Sequence, residues 1–439
     1  MTGGIAATSI RVNEMLDHDR QRRLVLRVVL AAVLAAGGAA AAAVDDEIAA
    51  AETRLAEHPD SADANVALAA AYMRKAGVSF DPSYDARARA AVDRALASEP
   101  LHYEALRTHA WVLLGQHDFR GALAAAERAR ERAADDWWNY GTLTDALVEL
   151  GEYERAAETA QRMVELRPGL PSYTRVAFVR SLFGDRRGAI EALGLAVAAG
   201  SPRDPESIAW ALVHLGHEHF ASGDLAAAAA AHVRALAVVP NYQLALAGLA
   251  RVRAAQGRLA DAAELYGRAV AQVPAPDVVA ALGDVLAARG DADGAERQYV
   301  LIDDMARVAA ANGGTDGRQL ALFYADHDRQ LPEALRLARH EAAGRRDIHT
   351  DDALAWALYK NGRNADAKQA SARALRLGTP DAALHYHAGM IAAALGRRAV
   401  AARHLHRALA LNPAFDVRQA PIARSTLAEL APGIAVAAR

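Results

Sequence analysis

One interval governs this chain: 34 residues. Gly223 recurs as Gly257, Leu225 as Leu259, Ala228 as Ala262, Ala235 as Ala269 and Pro240 as Pro274, each 34 residues on. Gly362 and Gly396 keep the same spacing, while Gly151 to Gly184 and Gly257 to Gly290 run to 33. Self-similarity at a fixed period of roughly 20–50 residues marks a repeat architecture, in which one supersecondary unit cannot bury its apolar face alone and must stack on its neighbours. A length of 439 residues therefore does not have to mean several separate globules.

Composition sets the class of the unit. Alanine dominates and aromatic residues make up only 5%, so helices are favoured over a large sheet. Lys plus Arg is 50, Asp plus Glu is 53, and the formal net charge is -3. That balance excludes a strongly basic nucleic-acid binder and an acidic solvating tail. With no cysteine, disulfides, thiol nucleophiles, thiolate zinc sites and iron–sulfur clusters are excluded together.

The units resemble the tetratricopeptide repeat (TPR) family. Numbered within a 34-residue unit, the family's pattern places a bulky residue at 4, Leu at 7, Gly or Ala at 8, Gly at 15, Ala at 20 and 27, an aromatic at 24 and Pro at 32. One unit reads Leu212, Leu215, Gly216, Gly223, Leu225, Ala228, Ala235, Pro240. The next reads Leu246, Leu249, Ala250, Gly257, Leu259, Ala262, Tyr266, Ala269, Pro274, and a third has Tyr140, Leu143, Leu147, Gly151, Tyr153, Ala156 and Pro168. The spacing makes physical sense. Glycine at 15 accepts a left-handed turn between two helices of about a dozen residues. Alanine at 8, 20 and 27 lets their backbones approach, and proline at 32 ends the second helix. The expectation is an all-α, right-handed α-solenoid superhelix of about ten helix-turn-helix units over residues 62–413. A leading helix in 45–61 and a capping helix and tail in 414–439 would flank it. Four irregularities stand out: an insertion at Lys75–Tyr84, an extra loop at Gly200–Pro205, a long second helix reaching Ala311, and a unit from Leu320 to Ala343 with no turn glycine.

The resemblance also implies where a ligand would sit. In TPR arrays the first helix of each unit lines a concave groove, mainly through positions 2, 5, 9 and 12. Here those positions carry Arg107, Trp111, Trp138, Asp145, His217 and Arg251, and later Trp356, Tyr359 and Tyr386. Tryptophan and arginine are common anchors of protein recognition. Some TPR proteins clamp a chaperone's terminal carboxylate with Lys, Asn and Arg; Arg107 occupies one such place, but Trp111 and Thr142 stand where asparagines belong, so that clamp is not supported.

Reactive constellations are missing from the sequence. No Walker A loop, G-x-G-x-x-G, G-x-S-x-G or H-E-x-x-H occurs. His214 and His217 are one helical turn apart but lack an obvious third ligand. His385 with His387, and His404 with His406, are two apart and should point in different directions on a helix. Asp135-Asp136 and Asp351-Asp352 sit where helices should start, and N-capping and dipole stabilisation account for them without catalysis. No cofactor and no metal is expected, and the irregular loops Phe80–Asp85 and Asn312–Gly317 carry no base beside a nucleophile.

The N-terminus bears on compartment. Residues 1–23 are polar and end in Arg22-Arg23; Val28 to Val44 then runs 17 residues without a charge, followed by Asp45-Asp46-Glu47. Residues 24–44 are long enough to cross a bilayer with Arg27 snorkelling, and the basic flank would keep residues 1–23 in the cytoplasm. Ala41-Ala42-Ala43 alternatively offers a signal-peptide cleavage site. The functional expectation is a non-catalytic scaffold or adaptor, membrane-anchored or exported. It would hold a protein or peptide partner in the groove and bind no nucleic acid. The alternatives are a cytoplasmic, self-associating regulator, or an enzyme or metal-binding protein with a site on the irregular loops.

Overall fold

The structure is a computed structural model and describes residues 38–79, 81, 83–311 and 317–430. Among the described residues there are 22 helices and no strand. A leading helix, α1 (Gly38–Glu57), is followed by ten hairpins. They are α2 (Ala62–Ser79) with α3 (Ser83–Ser98), α4 (Tyr103–Gly115) with α5 (Phe119–Arg132), and α6 (Trp137–Glu149) with α7 (Tyr153–Leu166). Next come α8 (Leu170–Leu182) with α9 (Arg186–Ala198), α10 (Pro205–Ala221) with α11 (Leu225–Val238), α12 (Gln243–Ala255) with α13 (Leu259–Gln272), and α14 (Pro276–Ala288) with α15 (Ala292–Ala311). The last three are α16 (Gly317–Asp326) with α17 (Leu331–Gly344), α18 (Ile348–Lys360) with α19 (Asn364–Ala374), and α20 (Ala382–Ala394) with α21 (Arg398–Leu411). A final helix, α22 (Gln419–Leu430), packs on α21. Each helix packs chiefly on its chain neighbours, and first helices also touch the first helices beside them, as stacked hairpins of an α-solenoid require.

The periodic residues do what their sizes allow. Ala122, Ala156, Ala189, Ala228, Ala262, Ala367 and Ala401, all at repeat position 20, are almost wholly buried between paired helices. Turn glycines 151, 184, 223, 257, 290, 362 and 396 have φ between 70 and 85°, a region costly for residues with a Cβ. Helix starts are capped by aspartates: Asp118, Asp185 and Asp224 each accept a backbone N–H from the first turn.

The irregular units resolve simply. The Lys75–Tyr84 insertion is largely absorbed by lengthening α2 to 18 residues; Phe80 and Pro82 lie outside the described residues, as do 312–316. α15 runs 20 residues to Ala311. The Leu320–Ala343 unit makes its turn with Asp328 (φ 52°) and Gln330 (φ 42°), and His117 (φ 60°) takes the glycine's place in the α4/α5 turn. Gly38–Val44 belong to α1, which continues without a break through Asp45; the rest of the apolar run, residues 24–37, lies outside the described residues, together with 1–23 and 431–439. Among the described residues no helix is long and apolar enough to cross a membrane.

One feature has no counterpart in the repeat pattern. After about 195 residues the coil meets itself. Arg345 donates to the Glu149 carboxylate at 2.8 Å across 196 positions, and Ile348 N–H donates to the Tyr153 hydroxyl at 2.8 Å across 195. One hairpin on, Arg186 donates to the Pro380 carbonyl at 2.7 Å, and the next turn of chain brings Asn412 to the Phe220 carbonyl at 2.8 Å. The turns of α6/α7, α8/α9 and α10/α11 thus rest on the linkers before α18, α20 and α22. Successive superhelical turns are in hydrogen-bonded contact.

Candidate partner-binding groove

The concave face divides into an open half and a filled half. The open half is a cleft of about 550 Å³ lined by the first helices α2, α4, α6 and α8. Arg107, Trp111, Trp138 and Asp145 all border it. The Arg107 guanidinium lies 4.4 Å over the Trp138 ring and 3.2 Å from Glu104. Asp136, itself bonded by the Tyr103 hydroxyl at 2.5 Å, stands 3.9 Å from Arg107. Deeper in, Arg175 makes a two-pronged bond to Asp145 at 2.9 and 2.6 Å and also donates to the Gly141 carbonyl at 3.2 Å. Gly141 permits this: a Cβ there would stand 3.3 Å from the guanidinium carbon. Both arginines in the cleft are thus neutralised by carboxylates, and the free surface left for a ligand is aromatic.

The aromatic surface continues along the coil. Phe178, at repeat position 9 of α8, is 48% exposed, and Trp210, at position 2 of α10, is 38% exposed. Trp210 meets His214 in a tilted arrangement at 4.0 Å between ring centroids; His214 meets His217 at 5.6 Å, and His217 meets the buried His232 at 5.5 Å. His217 is solvent-exposed, yet desolvation by the protein around it, then His232, His214 and Arg251, lower its pKa from the ordinary histidine value. Among the described residues no group of three His, Cys, Asp or Glu side chains could hold a metal ion, and the histidines form an uncharged wall.

Arg251 marks the boundary. Its guanidinium covers the Phe220 ring at 4.3 Å and donates to the Phe415 carbonyl at 3.1 Å. Beyond it the concave face is covered by the chain's own residues 412–419. Arg418 donates to Asp284 at 3.2 Å and to the Asp326 carbonyl at 3.2 Å. Gln419 donates to the Asp326 carboxylate at 2.8 Å, which also accepts from the Trp356 indole at 2.8 Å. Trp356 is 2% exposed, stacked on His387 at 4.2 Å and close to Tyr359 at 4.9 Å; Tyr386, also 2% exposed, meets Phe415 at 5.7 Å.

The nine groove residues read from sequence therefore lie in different settings. Four share the open cleft, His217 lies farther along it, Arg251 stands at the boundary, and Trp356, Tyr359 and Tyr386 lie in or beside the filled half. Sequence reasoning passed over Arg175, at position 6, and Phe178, whose place at position 9 was fixed by Gly184 six residues later. One expectation is corrected. Asp351 and Asp352 do not cap a helix: Asp347 caps α18, while Asp351 is bound by Arg373 and Arg376 at 2.8 and 3.1 Å and Asp352 by His387 at 2.8 Å.

One tetratricopeptide-repeat family model matches residues 113–176, and a second matches 214–277, 248–302 and 353–415. Among solved structures the chain is similar to the human IFIT1 dimer with m7Gppp-AAAA, at 15% identity over 72% of each chain and a TM-score of 0.49. It is also similar to PilW, a widely conserved type IV pilus biogenesis factor, at 20% identity over 49% of this chain and 95% of that one, with a TM-score of 0.40. TTC0263, a thermophilic TPR protein of Thermus thermophilus, gives 20% identity, 44% and 98% coverage, and a TM-score of 0.37. No curated protein matches the chain.

Proposed function

Because the chain belongs to the tetratricopeptide-repeat family, we propose that it is a non-catalytic interaction scaffold whose partner peptide or protein lies in the open half of the concave groove. The observation that carries this reading is the aromatic cleft around Trp111 and Trp138, with its charges paired internally. Such a surface suits a neutral or apolar segment, since burying Trp faces supplies contact area at small entropic cost. It does not suit a nucleic-acid backbone, because Arg107 and Arg175 are already bound to carboxylates and would have to exchange them for phosphates. The charge-free stretch of residues 28–44, with its basic N-terminal flank, supports placing the array outside the cytoplasm, tethered to the membrane or exported.

Affinity capture tests both parts. Wild-type protein and the Trp111→Ala and Trp138→Ala variants would be incubated separately with envelope and cytosolic fractions, and the captured proteins quantified. A partner enriched from the envelope fraction, and reduced about 30-fold or more by each variant as expected for a hot-spot loss near 2 kcal/mol, is the expected result. Equal capture by wild type and both variants removes the groove assignment. Enrichment from the cytosolic fraction alone removes the placement outside the cytoplasm.

A further inference from the structure

The segment between α21 and α22 is unlike the other linkers. Those before α18 and α20 meet the hairpin turns of the facing superhelical turn. This one crosses the concave face and touches one first helix after another: α12 through Arg251, α14 through Asp284, α16 through Asp326 and α20 through Tyr386 and His387. Its contacts are those a bound peptide makes. A backbone carbonyl, that of Phe415, is read by an arginine. An aromatic side chain, Phe415 at 3% exposure, is enclosed against Tyr386. A guanidinium three residues on, Arg418, reaches a carboxylate and a carbonyl on separate helices.

The receiving groups are fixed independently of the segment. Asp284 also accepts from the Tyr299 hydroxyl and from His327, each at 2.8 Å. Burial pushes its pKa up, but the bonds from His327 and the charge of Arg418 outweigh that and leave it below the usual carboxylate value. Asp326 keeps its bond from Trp356, and Trp356 is held between His387 and Tyr359. A site whose side chains are oriented by neighbours is preorganised, so little ordering is lost when an occupant leaves or returns.

We propose that the concave face of α12–α20 is a second peptide-docking site, closed in the free protein by residues 412–419, and that it accepts short segments carrying an aromatic residue followed three positions later by arginine. This rests on the reading that the concave face of this coil binds peptides, but it concerns a different half of the groove. The tether explains why the site is closed. A segment joined at both ends competes at an effective concentration on the order of millimolar, so a free peptide of equal intrinsic affinity scarcely displaces it.

The test uses the full chain and a labelled peptide with the sequence of residues 412–420. Arg418→Ala weakens the in-cis segment while leaving Asp284 its Tyr299 and His327 bonds; Phe415→Ala is the second variant. By fluorescence anisotropy the peptide is expected to bind either variant at least ten-fold more tightly than wild type. Replacing the peptide's own Phe or Arg with Ala should cost ten-fold or more. No binding to a variant that keeps its thermal transition, or binding indifferent to the peptide's Phe and Arg, overturns the proposal. Should both variants lose the folded state, amide hydrogen exchange on wild type decides: millimolar peptide must accelerate exchange at residues 412–419, and unchanged exchange overturns the proposal. Trp111→Ala leaves this binding unchanged; a loss there would mean that the peptide lies in the open cleft instead.

Discussion

At the residue scale, two repeat positions meet. Position 8 of the first helix faces position 24 of the second, and in three units a large residue at 24 lies against a glycine at 8. A Cβ on Gly216 would stand 2.6 Å from His232, one on Gly283 2.5 Å from Tyr299, and one on Gly389 2.7 Å from Leu405. The fit leaves His232 1% exposed, with a buried Nδ1 that has no hydrogen-bond partner among the described residues. Desolvation, helped by Arg251, lowers its pKa to about 4, and burial does the same for His214. The unfolded chain, with ordinary histidines near 6.5, binds more protons than the folded one between pH 6.5 and 4, so stability falls on acidification through that window. His387 works the other way: burial opposes its charge, but Asp352 raises its pKa, so its contribution grows as pH falls. With the lowered histidines in the majority, the urea midpoint is expected to drop between pH 6.5 and 4.5. In His232→Leu the slope should be shallower by up to one proton, about 1.4 kcal/mol per pH unit. Urea titrations at four pH values check this, and identical slopes for the two proteins would show that His232 is not held neutral by its burial.

Elements were legible from sequence where a position tolerates few residue types. Hairpins announced themselves because close helix packing demands alanine and a left-handed turn favours glycine. The turns made by His117, Asp328 and Gln330, with φ of 60, 52 and 42°, gave no such signal, because these residues adopt the left-handed region only when tertiary contacts hold them there. Aspartate at a helix start was similarly ambiguous. Asp224 is a plain cap, accepting from Ala227 N–H at 2.9 Å, whereas Asp352 lies one turn inside α18 and neutralises a buried imidazole. Nothing local separates the two; the partner His387 is 35 residues away. Their energetics should differ accordingly. Asp224→Ala is expected to cost about 1 kcal/mol, as for other N-caps. Asp352→Ala strands a charged group in the interior and should cost about 3–5 kcal/mol. Denaturation midpoints measured side by side decide the matter, and equal losses would mean that Asp352 acts as no more than a helix-terminal charge.

On the scale of the whole molecule, the row of hairpins was readable but the closure of the coil on itself was not. Contacts such as Glu149 with Arg345 join residues 196 positions apart and obey no period, and the segment that fills half the groove has no repeat signature. Their consequence is mechanical. An array with neighbour contacts alone unfolds as a one-dimensional chain, in which an end can fray while the rest persists. Bonds between superhelical turns add long-range terms that tie α6–α11 to α17–α22, so both regions should be lost together. The glycine at the first of these contacts is tightly enclosed: a Cβ on Gly151, already at φ 72°, would lie 2.5 Å from the Arg346 carbonyl oxygen. Gly151→Val combined with Arg345→Ala should therefore part the turns, and it also strains the α6/α7 turn because Gly151 sits at φ 72°. Wild type is expected to show one urea transition, coincident by circular dichroism and by tryptophan fluorescence, which draws on Trp111, Trp137, Trp138 and Trp210 in the first turn and Trp356 in the second. The double variant should show two transitions and a larger radius of gyration by small-angle scattering. A single transition at lower urea with unchanged dimensions would mean that the turns remain docked through the Pro380 and Asn412 contacts alone.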